Sequence, residues 1–129
     1  MKIKTEDLTG AALDWAVALA LGWTLERPQD GQFIDNDGNR WLAGYRQYAP
    51  KISFSPSTNW AQGGPLIDHI ETLDRLGDGW QCTYAPNKPQ RYGLYCETGL
   101  MPLIAICRAV VARKLGEEVE VPDKLGGEA

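Results

Sequence analysis

Two segments of this chain are apolar almost all the way round a helix, and a small domain has few places to put them. The first runs from Thr9 to Gly22, with Asp14 as its only charge; the second runs from Leu100 to Leu115, with Arg108 as its only charge before Arg113. Thr9 reads as the N-cap and Gly22 as the stop of the first. Thr98 reads as the cap of the second, with Pro102 in its first turn and Gly116 beyond its end. A surface helix shows one apolar stripe, so helices like these are central and covered on more than one side. With 129 residues the chain has room for one core, and both helices must share it.

The remaining periodic stretches are strands. Gln32–Ile34 and Arg40–Ala43 flank Asp35-Asn36-Asp37-Gly38-Asn39, a run that tolerates the positive φ of a tight hairpin turn. A second hairpin is expected where Trp80, Cys82 and Tyr84 alternate with polar residues and Tyr92, Leu94 and Cys96 do the same, with Pro86 to Gln90 as the loop. That alternation puts all six on one buried face, with Cys82 and Cys96 close together and reduced. Pro65 opens a short helix that continues to Glu71. The expected fold is therefore α+β over residues 1–121: an antiparallel sheet of two hairpins packed against two main helices, with a short third helix. Residues 122–129 read as a flexible acidic tail, and Val119 and Val121 as a short edge strand.

Charge narrows the function. Seventeen acidic against thirteen basic residues give a net charge of −4, with Lys and Arg scattered, so no nucleic-acid partner is expected. The longest apolar run, Ala16 to Leu21, falls far short of the roughly 20 residues that cross a bilayer. The amino terminus turns acidic without a cleavage site, and three cysteines lack a paired spacing. A cytoplasmic protein without membrane contact or cofactor is expected, and its oligomeric state is open.

Motifs of catalysis are missing. Neither G-x-x-x-x-G-K-[ST] nor G-x-G-x-x-G occurs. Asp35 to Asn39 resembles the start of a calcium loop, but its glycine is misplaced and Arg46 stands at the twelfth position. His69-Ile70-Glu71 lacks the P-C-x-x-C that zinc deaminases need, and no G-x-S-x-G presents a serine to this single histidine. Asp14 and Arg108, each alone on its helix, either pair in the interior or share a narrow solvent stripe.

The least ordinary stretch is Ser55 to Pro65, where Trp60 stands among hydrogen-bonding residues and a Gly-Gly pair opens a helix. Backbone N–H groups at a helix start suit an anion, and Trp60 suits stacking. The candidate ligand-binding residues are Thr58, Asn59, Trp60, Gln62, Gly63 and Gly64, with Arg108 as the cation. The alternative, favoured on packing grounds, is a long loop pinned by burial of Trp60, with Thr58 and Asn59 capping turns.

SPSTNWAQGGPLI over residues 55–67, KIKTEDLTGAALDWAVALA over 2–20 and MPLIAICRAVVARKLGEEVEVPDKL over 101–125 together resemble the NinX-like family of small phage and prophage proteins. The resemblance implies a phage or prophage source and the cytoplasm of a bacterial host; it implies no reaction and carries no catalytic residue. The combined expectation is an accessory protein, most readily a non-enzymatic module that binds a host or phage protein. The alternative is a small-molecule binder, of an anionic metabolite or nucleotide, using the Trp60 and Gly-Gly loop.

Overall fold

Both apolar segments are helices: α1 spans Gly10–Ala20 and α3 spans Pro102–Leu115, with the short α2 (Trp60–Gly63) between them in sequence. The computed structural model describes residues 1–44, 52–87 and 95–126. α1 and α3 pack on each other, and each is covered again, α3 by strands β7 (Gly79–Tyr84) and β8 (Tyr95–Gly99), α1 by β4 (Arg40–Ala43). Double covering explains the absent polar stripe: Leu13, Ala16 and Val17 on α1 and Ile106, Val110 and Val111 on α3 are fully buried. α3 starts later than its sequence suggests. Thr98 lies in β8 and does not cap the helix; Met101 is the N-cap residue and Pro102 fills the first turn. Gly116 ends it at φ 96°, a conformation that L side chains seldom adopt.

The protein is mixed α+β, but its two hairpins do not share a sheet. One sheet has the order β2 (Thr24–Arg27), β3 (Gln32–Ile34), β4, β5 (Ser53–Phe54); the other has the order β6 (Thr72–Leu76), β7, β8. The β3–β4 turn is held by Asp35, whose Oδ1 accepts from the Asp37 and Asn39 N–H groups and whose Oδ2 accepts from Trp41 Nε1 at 2.8 Å. Those donors keep the Asp35 carboxyl below its ordinary pKa. The β5 strand then adds parallel to β4, bringing the Ser55 segment beside the first sheet.

In the second sheet Tyr84 pairs with Tyr95, Cys82 with Glu97 and Trp80 with Gly99. Cys82 and Tyr84 point inward as expected, at 0% and 2% exposure, but Cys96 faces solvent. The inward phase of β8 belongs instead to Tyr95, Glu97 and Gly99. Glu97 lies on that face with its pKa raised to about 7, by burial first and then by Glu6, against the lowering effect of Arg108. Cys82 and Cys96 are both free thiols on opposite faces. Tyr92 and Leu94 lie outside the described residues.

The edge strand expected around Val119 forms, and the first part of the stretch 122–129, which was expected to be a flexible tail, is helical as far as Gly126. β9 (Glu118–Glu120) pairs antiparallel with β1 (Lys2–Lys4), and the Met1 ammonium donates to Val121 O at 2.8 Å. α4 (Asp123–Gly126) follows, with Leu125 only 2% exposed in the core.

Candidate functional site

The Ser55 to Pro65 stretch is anchored by polar groups, and not by its tryptophan. Ser55 O accepts from the Thr58 and Asn59 N–H groups, making a tight turn. Gln62 reaches back along its own segment: Ser55 N–H donates to its Oε1, and its Nε2 donates to Ser53 O at 2.8 Å. Asn59 is the N-cap of α2, its Oδ1 accepting from Ala61 N–H at 2.9 Å. The helix therefore opens at Trp60, four residues before the position expected from Gly64 and Pro65. Gly63 closes it, and a Cβ there would collide with Pro56 O and come within 2.7 Å of Leu103 Cδ2. Gly64 begins a 3-10 turn running to His69 and has ordinary space for a side chain.

Asp14 supplies the tie to the core. Its Oδ1 accepts from Ser57 N–H at 2.9 Å while the residue is only 7% exposed, so α1 holds the loop through a buried carboxyl. Burial raises its pKa to about 6, with the Ser57 hydrogen bonding opposing that rise. Arg108 is not its partner: Arg108 Nε donates to Leu8 O and Nη1 to Thr98 O, fastening α3 to β8 and to the segment before α1.

Fixed in this way, the segment turns its largest side chain outward. Trp60 is 54% exposed, and Ile67 in the following 3-10 turn is 45% exposed, whereas Pro56 and Leu66 are buried. The loop is thus held without the burial of Trp60 that its sequence favours. Thr58, Asn59, Trp60, Gln62, Gly63 and Gly64 form one continuous platform. Arg108 stands apart, in a concavity of about 380 Å³ with Leu76, Trp80 and Leu100.

Further concavities are lined by described residues outside the platform. One, of about 280 Å³, gathers Glu6, Glu97, Glu117 and Glu118 around Lys4 and Cys96; burial and its acidic neighbours raise Glu97 to about 7. Another, of about 410 Å³, lies between Tyr84, Tyr95 and the last turn of α3, and nothing in the sequence marked it, because its walls come from residues far apart in the chain. His69 is half-buried, its carbonyl accepting from Arg113 Nη1. Burial and the neighbouring Lys114 and Arg113 lower its imidazole pKa.

Among the described residues no three His, Cys, Asp or Glu side chains group so as to hold a metal ion, and no helix is long and apolar enough to cross a membrane. No match to the chain was found among curated proteins. The family model described as "Bacteriophage P22, NinX" matches residues 4–114, a span that includes α1, the Trp60 platform and nearly all of α3, so the chain belongs to the NinX family of bacteriophage proteins.

Proposed function

We propose that this phage accessory protein is a non-enzymatic binding module that docks a host or phage protein in the bacterial cytoplasm through the Trp60 face. The observation that supports it is the exposure of Trp60 on a backbone that is otherwise fully tied down. A large aromatic on a rigid support contributes contact area at little ordering cost, which is why tryptophan recurs at interface hot spots. Gly63 rests against Leu103, two residues beyond the α3 cap residue Met101, and Met101 and Leu100 are themselves 60% and 77% exposed. Apolar side chains thus project around the start of α3. The net charge of −4 favours a protein partner with a basic rim over nucleic acid.

The test is capture from host and phage-infected lysates with the wild-type chain and with Trp60→Ala side by side. The proposal expects a stoichiometric partner that the wild type retains and the variant loses while keeping its melting temperature. Equal capture by both chains, or no stoichiometric partner at all, would contradict it.

A further inference from the structure

The hydrogen bonds of the Trp60 platform are almost all local, made by the Ser55 turn, the Asn59 cap and the Gln62 side chain. Among the described residues, a single hydrogen bond fastens residues 56–63 to an element remote in sequence. It is Ser57 N–H donating to Asp14 Oδ1 on α1, at 2.9 Å. Both ends are interior, with Asp14 7% and Ser57 5% exposed.

Among the described residues no cation pairs with this carboxyl. On α3, Arg108 is engaged with the Leu8 and Thr98 carbonyls, and Arg113 and Lys114 lie beside His69. The titratable group of α3 that senses Asp14 is the Cys107 thiol, which burial and then the carboxylate keep protonated. β4 brings Arg40, which is exposed and 4.0 Å from Glu26; α4 brings Asp123, on the Met1 ammonium, and the exposed Lys124. The Asp14 titration is shifted by burial and by Ser57.

The Ser57 hydroxyl adds a second observation. It is buried without a hydrogen-bond partner, yet lies close enough to the carboxyl to affect its titration. A hydroxyl both donates and accepts. With Asp14 protonated, its O–H finds an acceptor in Ser57 Oγ while its other oxygen keeps the Ser57 N–H, and no buried charge is left. With Asp14 ionised, the same Ser57 groups face a charge that none of these cations offsets, and opening toward water relieves it.

We propose that Asp14 and Ser57 form a proton-operated latch for the Trp60 platform: protonation of the carboxyl locks residues 56–63 onto α1, and ionisation lets the turn open locally while α1 and α3 stay folded. The latch acts on the platform itself and stands whether or not a protein docks there. Its window follows from a folded pKa of about 6 against the ordinary 3.8: the locked state is most favoured below 3.8, and that advantage is lost as pH rises through 6.

Hydrogen exchange of the full chain, read amide by amide and corrected for the intrinsic pH dependence of exchange, tests the latch. The opening constant at the Ser57 and Asn59 amides should rise about tenfold or more between about pH 4.5 and about pH 8, without sensitivity to low urea, while the Ile106 and Val110 amides stay far better protected. The rise should level off where the Asp14 carboxyl carbon titrates by NMR. Asp14→Asn, whose amide accepts from Ser57 N–H and donates to Ser57 Oγ, should hold the locked level at both pH values. Exchange at Ser57 that requires global unfolding, an unchanged opening constant across the range, an Asp14 carbon titrating at the ordinary carboxylate value, or the wild-type pH response in Asp14→Asn would overturn the proposal.

Discussion

Phe54 and Trp60 stand six positions apart in one segment and meet opposite fates. Phe54 is 5% exposed and packs against Trp23, at 4.5 Å between ring centroids, and against Trp41. Trp60 is 54% exposed on the same well-anchored stretch. The difference follows from what already satisfies the backbone. Around Phe54 the two-residue strand β5 is held by its parallel pairing with β4, by Gln62 on the Ser53 carbonyl and by the aromatic cluster. Around Trp60, Asn59, Gln62 and Asp14 satisfy the turn without help, and the tryptophan is left available.

The sharpest way to break this comparison is truncation of the inward ring. Phe54→Ala should cost about 3–5 kcal/mol in chemical denaturation, because the cavity left beside Trp23 and Trp41 adds to the lost burial of the ring. A loss below about 1 kcal/mol would mean that the cluster does not hold β5. Next comes the contact that seats α2. Gly63→Ala should destabilise by about 3 kcal/mol, since the methyl group meets the Pro56 carbonyl and Leu103, whereas Gly64→Ala should stay within about 0.5 kcal/mol. Equal costs at the two glycines would contradict the close approach assigned to Gly63.

Asp14 gives a pH signature of intermediate size. Its folded pKa of about 6 lies above the ordinary 3.8, so the folded state holds the proton more tightly and this group's stabilisation is greatest below pH 3.8. It is lost as pH rises toward 6. Asp14→Asn keeps an acceptor for Ser57 N–H and should remove about 2 kcal/mol of that decline, as read from melting curves across the interval. The decline from Glu97, which extends to about 7, should remain. Parallel wild-type and variant profiles would show that Asp14 is not buried as described.

What the sequence made legible is what local chemistry decides. The all-round apolar runs gave α1 and α3, and the Asp35 to Asn39 turn gave β3 and β4, while the part its Asp35 carboxylate plays in holding the turn came from the structure. β6 escaped notice because Thr72-Leu73-Asp74-Arg75-Leu76 is an edge strand, mostly exposed, without apolar alternation. The phase of β8 was misread because Cys96 looks apolar and Glu97 polar, whereas burial raises the Glu97 pKa to about 7 and so eases the cost of placing its carboxyl on the inner face. In the candidate site, the hydrogen-bonding character of Asn59 and Gln62 was visible. Its consequence was not, since the tie that frees Trp60 from packing comes from Asp14, 43 positions from Ser57. The Tyr84 cavity was invisible for the same reason.

The account rests on Trp60 being presented by the platform without holding it together, and urea denaturation of Trp60→Ala tests that most directly. The expected result is a stability within about 0.5 kcal/mol of wild type with an unchanged m-value, as for an ordinary surface substitution. A loss of about 3 kcal/mol or more would place the ring in a packed interior and contradict the outward platform.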